Sequence, residues 1–183
     1  EVTTTNILLM IGATFLFSLI LVPVFKKVAF HIGALDYPNQ RRLNKVPMPT
    51  IGGLAVFFSF LLGYMIFGRG TTEMISILIA SFVILMVGLI DDIKPISAKY
   101  QFIGQTIAVL IIMLYGHITI DNLTILGHTF VFDAPWNYIV TLIFMLGIIN
   151  AIDLSDGMDG LSSGISIIYF ITIVVIASII GGG

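Results

Sequence analysis

The stretch Asn150-Ala-Ile-Asp153-Leu-Ser-Asp156-Gly-Met-Asp159-Gly160 separates two long apolar runs near the end of the chain. Its three carboxylates follow one another at three-residue spacing. An ionisable group in or beside a membrane segment is costly unless it is paired, hydrated or bound to a metal. The stretch therefore predicts a functional site in a membrane protein, with an acidic loop that is merely solvated as the alternative.

Composition supports a membrane protein. Of the 183 residues, 58% are hydrophobic and 10% are charged, a balance typical of polytopic membrane proteins rather than soluble domains. The chain has no cysteine, which excludes a disulfide framework, a thiolate metal site and a cysteine nucleophile. We expect a lipid bilayer as partner and no nucleic acid.

Hydropathy predicts an all-α polytopic fold with about six transmembrane helices in a single integral membrane domain, residues 1–183. The predicted spans are 6–25, 51–67, 74–90, 102–115, 136–152 and 161–180. The fourth is the weakest, because Gln101 and Gln105 lie one helical turn apart on it and predict a face lined by protein. Between the fourth and fifth spans, β-branched residues around Leu126-Gly127 predict a short extracytoplasmic β-hairpin.

Lysine and arginine predict the orientation. Seven of the eight lie in the first, third and fifth connections, and only Arg69 lies in the other two. The positive-inside rule then makes the odd connections cytoplasmic and puts the N-terminus outside. All the acids of the Asp153–Asp159 stretch, and the pair Asp91-Asp92, fall on the cytoplasmic side.

The pair Asp91-Asp92 closes the third span. Adjacent carboxylates at a helix C-terminus oppose the helix dipole, which favours cations there. The pattern indicates a site for a divalent metal or for proton transfer, and a solvated helix end is the alternative. Mg²⁺ is typically held by one or two carboxylates together with substrate phosphates.

A basic segment precedes the second span. Arg41, Arg42 and Lys45 suit a phosphate-bearing ligand, although topology alone also accounts for such charges. The turn that follows ends in Thr50, Gly52 and Gly53. The positive-inside rule accounts for the charges but not for this conformationally restricted turn. Acids for Mg²⁺, bases for phosphate and a membrane platform together predict phosphoryl transfer from a nucleotide diphosphate compound to a lipid phosphate.

At these motifs the sequence resembles the polyprenyl-phosphate sugar-1-phosphate transferases of bacterial cell-envelope synthesis, a part of glycosyltransferase family 4. Three stretches carry the resemblance in order along the chain: Asp36 to Gly53, Gly88 to Asp92 with Lys99 and Gln105, and Asn150 to Leu161. The first is most similar to the branch that transfers GlcNAc-1-phosphate from UDP-GlcNAc to undecaprenyl phosphate, for teichoic acid or a related polymer. The branch that transfers phospho-MurNAc-pentapeptide shares the other elements and stays an alternative.

The resemblance implies a site for each motif. Asp91 and Asp92 would serve Mg²⁺ (or Mn²⁺) and the diphosphate or would deprotonate the lipid phosphate, with Asp156 as a further metal ligand. Asp156 and Asp159 would also be catalytic residues lining the nucleotide-sugar site. The implied substrate-binding residues are Asn150, Asp153, Lys45, Arg41, Arg42, Thr50, Gly52 and Gly53. The implied location is the bacterial plasma membrane, with the active-site loops cytoplasmic, and a homodimer stays open.

Two departures from the family pattern bear on this reading. Asp153 stands where the family usually has asparagine, and Asn44 stands where it often has histidine. Family members also have about ten or eleven spans, so the chain is expected to be the N-terminal portion of a longer enzyme and inactive alone. The remaining alternatives are an inactive fragment, an ion-coupled transporter and a CDP-alcohol phosphotransferase, whose motif continues differently after Gly157.

Overall fold

Six apolar helices make up most of the structure, a computed structural model that describes residues 4–33, 35–36, 48–49, 52–155 and 161–180. The helices are α1 (Thr4–Ile32), α2 (Gly52–Phe67), α3 (Thr72–Ile93), α4 (Ala98–Leu110), α5 (Trp136–Ser155) and α6 (Leu161–Ile180). Helix α4 continues directly into a π-helical segment, Ile111–Tyr115. Consecutive helices pack against each other from α1 to α6.

The helices confirm the predicted all-α membrane fold. Within the described residues, four are long and apolar enough to cross a bilayer: Leu8–Ile32, Thr72–Ile93, Ala98–Tyr115 and Trp136–Leu154. Two shorter apolar helices, Gly52–Phe67 and Ser163–Ile176, accompany them. The predicted weak span, α4 with its π-helical continuation, has the largest share of buried residues among the four. It is therefore the helix most enclosed by its neighbours.

Several helices extend beyond the apolar runs that predicted them. Lys26 and Lys27, which we placed in the first connection, belong to the last turns of α1. Helix α5 likewise continues through Asp153 to Ser155. Hydropathy marks only the apolar part of a helix, and long basic side chains can keep their charge in water while their stems stay on the helix. Charge therefore did not mark where these helices end.

The predicted hairpin is present between α4 and α5. Strands β3 (Asn122–Ile125) and β4 (His128–Val131) pair antiparallel, with Ile125 opposite His128. Leu126 and Gly127 form the turn and have φ of 50° and 83°, as two-residue hairpin turns with the twist of the strands require. A second antiparallel pairing, of β1 (Leu35–Asp36) with β2 (Met48–Pro49), was not predicted.

Hydrogen bonds attach the hairpin to the start of α5. The Ile120 N–H donates to Oγ1 of the buried Thr141 at 2.8 Å. The Asn137 side-chain amide donates to Oδ1 of Asp121 at 3.0 Å, and the Thr119 hydroxyl donates to the same oxygen at 2.8 Å. These two bonds, that from Asn137 first, hold the pKa of Asp121 below its ordinary value because they stabilise the carboxylate.

Small residues occupy most of the buried positions among the described helices. They include Ala29, Ala55, Ser59, Ala80, Gly104 and Ala108. Lipid tails are as apolar as large side chains, so membrane helices associate through close backbone packing at small residues rather than through a large apolar core. The large apolar side chains of α1 and α6 are accordingly mostly exposed, as expected of surfaces that face lipid.

Candidate active site

One end of the bundle is assembled around Ala29, whose side chain is completely buried. Phe25 of the same helix, Leu54 of α2 and Leu89 of α3 pack against it. The carboxyl end of α1, the amino end of α2 and the carboxyl end of α3 therefore meet. Leu89 lies two residues before Asp91, so this contact places the predicted acidic pair beside the ends of α1 and α2.

Helix α4 approaches α3 closely at the same end. Gly104 is buried, and a Cβ on it would lie 2.5 Å from Cγ2 of Val87. Only glycine permits so close an approach between the two helices. Val87 lies one helical turn before Asp91, and the contact therefore fixes the acidic pair relative to the first turns of α4.

Asp91 and Asp92 lie in the last turn of α3, as predicted. Asp91 is half-buried, and its Oδ1 accepts a hydrogen bond of 2.8 Å from the Ile96 N–H. Asp92 is exposed. The bond to Ile96 holds the short connection to α4 against the helix end, so Asp91 has a structural role besides any chemistry. Both carboxylates lie where the helix dipole is negative, which favours recruitment of a cation.

A buried amide links the middle of α4 to the end of α5. Gln105, only 6% exposed, accepts a hydrogen bond of 2.9 Å at Oε1 from Nδ2 of Asn150. Its Nε2 donates to Oδ2 of Asp153 at 3.0 Å. Asn150 also donates to the Leu146 carbonyl oxygen at 2.8 Å. We call Gln105, Asn150 and Asp153 the amide bridge.

The amide bridge gives hydrogen-bond partners to the buried side-chain amide of Gln105, which would otherwise lower the stability of the folded protein. A buried donor or acceptor left without a partner costs roughly 1–3 kcal/mol, and Gln105 uses its carbonyl oxygen and one of its two N–H groups in the bridge. Asn150 and Asp153 are three residues apart and so lie on one face of α5. The bridge therefore holds the last two turns of α5 beside α4, immediately before the stretch that contains Asp156 and Asp159.

The predicted glycine pair begins α2 at this same end. A Cβ on Gly53 would lie 3.3 Å from Cδ1 of Leu85 in α3, whereas a Cβ on Gly52 would have no atom of the described residues within 4 Å. Gly53 thus serves close packing of α2 on α3.

The two ends of the bundle differ in charge. The end with the acidic pair also has the described basic residues Lys26, Lys27, Lys94 and Lys99. At the other end, the described charged residues are Arg69, Glu73, Asp121 and Asp133. Basic residues near the acids suit an anionic ligand, and the two ends are separated by about 27 Å along the 18 residues of α4 and its continuation.

Six of the predicted site residues lie outside the described residues. They are Arg41, Arg42, Lys45, Thr50, Asp156 and Asp159. The other six, Gly52, Gly53, Asp91, Asp92, Asn150 and Asp153, lie at one end of the bundle. Within the described ranges, no three His, Cys, Asp or Glu side chains form a group that could hold a metal ion. A pair of carboxylates completed by substrate phosphates remains a sufficient donor set for Mg²⁺.

Gln105 belongs to the stretches that carry the family resemblance, but it was not among the predicted site residues. Its place on a protein-lined face was expected, but its hydrogen bonds to two candidate site residues were not. The signal was a glutamine in an otherwise apolar span, because such a side chain needs a polar partner in a membrane. The sequence does not show which of the many polar residues is that partner.

These features define a class of protein: a polytopic helical membrane protein with carboxylates, amides and lysines gathered at one end. Residues 74–182, more than half of the chain, match the model of Glycosyl transferase family 4. The chain belongs to this family, which confirms the resemblance. No solved structure matches it.

Relatives with assigned names also support membership of this family. A probable undecaprenyl-phosphate N-acetylglucosaminyl 1-phosphate transferase of Bacillus subtilis (strain 168) is 37% identical over 161 residues, which is 87% of this chain and 45% of the relative. An undecaprenyl-phosphate alpha-N-acetylglucosaminyl 1-phosphate transferase of Yersinia pestis is 31% identical over 85% of this chain and 43% of its own length. A decaprenyl-phosphate N-acetylglucosaminephosphotransferase of Mycobacterium tuberculosis (strain CDC 1551 / Oshkosh) is 30% identical over 78% and 38%. The chain thus spans less than half the length of each of these relatives.

Proposed function

We propose that this chain is part of an enzyme that transfers GlcNAc-1-phosphate from UDP-GlcNAc to undecaprenyl phosphate. An oxygen of the lipid phosphate attacks the phosphorus bound to the sugar. A new phosphorus–oxygen bond forms, the bond to the uridine phosphate breaks, and UMP leaves. The gathering of the acidic pair and the amide bridge at one end of the bundle carries this proposal, together with the names of the relatives.

The geometry suits the demands of the reaction. Phosphoryl transfer needs positioning and charge neutralisation more than covalent help from the protein. The lysines near Asp91 and Asp92 attract the anionic substrates. The hydrogen-bonded side chains of the amide bridge form one rigid side of the substrate site. The helix ends meet lipid on their outer faces, so a lipid phosphate can reach the same end from the bilayer.

Mg²⁺ fits the donor set at the end of α3. Asp91 and Asp92 would hold it with substrate phosphate oxygens, and Asp156 would be a further ligand. The ion would supply neutralisation of the diphosphate charge. Asp91 would contribute through the carboxylate that also binds the Ile96 N–H, which keeps the side chain oriented.

The measurement that tests the proposal is UMP release by membranes that contain the complete gene product. With UDP-GlcNAc and undecaprenyl phosphate, we expect release that EDTA abolishes and Mg²⁺ restores. Release only with UDP-MurNAc-pentapeptide would favour the other branch of the family. Absence of release with any UDP-sugar, accompanied by sodium or proton flux, would refute the proposal.

A matched pair of substitutions on α3 locates the chemistry. Asp92→Asn is expected to lower kcat on the order of 100-fold, a typical loss for one electrostatic contact to the transition state. Glu73→Gln removes the same charge at the other end of the same helix and should leave kcat within about twofold, because only a weak helix-dipole contact is lost. Equal effects of the two substitutions would contradict the assignment of the site to the Asp92 end.

The proposed orientation has the acidic end in the cytoplasm. The chain lacks cysteine, so one cysteine introduced in place of the exposed Thr129 or Ser97 is unique within these residues. A membrane-impermeant maleimide should label Thr129→Cys in intact cells and Ser97→Cys only after permeabilisation. The reverse pattern would invert the proposed topology.

A further inference from the structure

We infer that Gln105 is a positioning residue that passes the donor–acceptor order set by the Asp153 carboxylate on to Asn150, and that this order prepares Asn150 to bind a hydrogen-bond donor of the nucleotide sugar. The inference rests on the proposed function and adds to it. It names a residue that acts through two others, and the chemical character of the group that Asn150 binds.

The order begins at Asp153. Asp153 is exposed at the helix end, and an ionised carboxylate can only accept hydrogen bonds. The group of Gln105 that faces it must therefore be the amide NH₂, as found at 3.0 Å. The carbonyl oxygen of Gln105 is then directed to Asn150.

Asn150 completes the order. Because Oε1 of Gln105 can only accept, Asn150 must present its own NH₂, as found at 2.9 Å. Its second amide proton is committed to the Leu146 carbonyl oxygen at 2.8 Å. The polar atom of Asn150 that these two bonds do not engage is its carbonyl oxygen, an acceptor. Asn150 is thereby suited to a hydroxyl or N–H group of the nucleotide sugar rather than to its phosphates.

The order also explains how residue 153 can be an aspartate. Gln105 requires an acceptor at this position, and both a carboxylate and the carbonyl oxygen of an asparagine provide one. An asparagine in place of Asp153 can therefore keep the bond to Gln105, but only the carboxylate, which lacks a donor, fixes the direction of that bond. Reversing the order requires changes at both ends of the Gln105–Asp153 bond.

A swap of donor and acceptor tests the inference in the complete gene product. Gln105→Glu places a carboxylate against Asp153 and should raise the KM for UDP-GlcNAc about tenfold, which corresponds to ~1.4 kcal/mol. Asp153→Asn alone supplies the reference KM, because an asparagine side chain still offers Gln105 an acceptor. The double variant Gln105→Glu/Asp153→Asn restores a donor facing an acceptor, and its KM should lie within about threefold of that of Asp153→Asn.

Two comparisons separate positioning from general damage to the fold. Gln101→Glu adds the same charge one helical turn earlier on α4, and Asp153→Asn should not change its effect. The KM for undecaprenyl phosphate should stay unchanged in every variant, whereas loss of folded protein would lower the maximal rate and leave both KM values alone. The thermal midpoint of the purified protein should fall in Gln105→Glu and recover in the double variant.

The outcomes are distinguishable. If the wild type releases UMP but Asp153→Asn does not rescue the KM of Gln105→Glu, the inference is wrong and the proposed function stands. If the thermal midpoint recovers but KM does not, the bridge is structural only and the inference is again wrong. If the wild type releases no UMP, the proposed function fails, and with it the role of the bridge in binding a nucleotide sugar.

Discussion

The contact between Gly104 and Val87 predicts a measurable packing defect. In Gly104→Ala the new Cβ would lie 2.5 Å from Cγ2 of Val87 and 3.4 Å from both its Cβ and its Cγ1. Ordinary contacts between carbon atoms are about 3.5–4.0 Å, so α3 and α4 must separate or Val87 must change rotamer. Extra atoms in a packed interface typically cost about 1–3 kcal/mol.

The net effect includes a favourable term. Alanine is better than glycine inside a helix by roughly 0.5–1 kcal/mol, which leaves Gly104→Ala destabilising by about 1 kcal/mol in the middle of the range. A loss of this size lowers the Tm of a protein of about 150–250 residues by about 2–4 °C. Gly88→Ala is the matched control, because no atom of the described residues lies within 4 Å of a Cβ there, and it should be neutral or stabilising.

The assay is thermal unfolding of each purified variant in detergent, followed by circular dichroism. Val87→Ala removes the opposing methyl groups, so Gly104→Ala should be less harmful in that background, with a coupling energy of about 1 kcal/mol. If Gly104→Ala is as stable as Gly88→Ala, or if Val87→Ala does not reduce the loss of stability caused by Gly104→Ala, then α3 and α4 do not approach each other as closely as described.

Three further predictions concern other parts of the molecule. Leu126→Asn should stabilise the hairpin by up to about 1 kcal/mol, because Leu126 is 96% exposed with a φ of 50° and asparagine tolerates this conformation better. Amide hydrogen exchange of β3 and β4 should then be slower than in the wild type. Unchanged or faster exchange would contradict this prediction. The pKa of Asp121 is lower in the folded protein than in the unfolded chain. The ionised carboxylate therefore stabilises the hairpin at any pH above its ordinary pKa, and this stabilisation is lost as the pH falls through the lower pKa of the folded state. The hairpin should accordingly weaken only in acid. Asn137→Ala should raise that pKa towards its ordinary value, as a ¹³C NMR titration of the Asp121 carboxyl would measure. Thr141→Val should speed exchange of the Ile120 N–H, which loses its acceptor, while Thr172→Val on α6, whose hydroxyl bonds only within its own helix among the contacts described, should leave that exchange unchanged.

Much of the fold was predictable because membrane segments carry a strong local signal. Apolar length marked every helix, and Leu126-Gly127 marked the hairpin turn. The ends were less predictable: Lys26, Lys27 and Asp153 are polar, so hydropathy assigned them to connections although the helices continue through them. A helix ends where its backbone bonds end, and charge is a poor guide to that when long side chains reach water.

The site was predictable as a set of motifs but not as an arrangement. The Asp91-Asp92 pair and the Asn150 stretch were recognised separately, since each carries unusual polarity for a membrane segment. Their connection through Gly104 and Gln105 depends on which faces of α3, α4 and α5 meet. That choice is made by packing between helices distant in sequence, and no local pattern encodes it.

The transfer of phosphate together with the sugar can be followed directly with an isotope. UDP-GlcNAc labelled with ³²P at the phosphorus next to the sugar is incubated with undecaprenyl phosphate, Mg²⁺ and membranes that contain the complete gene product. We expect the label to enter the lipid fraction with wild-type and Glu73→Gln protein and to be lost from it with Asp92→Asn. Label that stays in the aqueous fraction as UDP while GlcNAc enters the lipid would show that the sugar moves without its phosphate and would refute the proposed reaction.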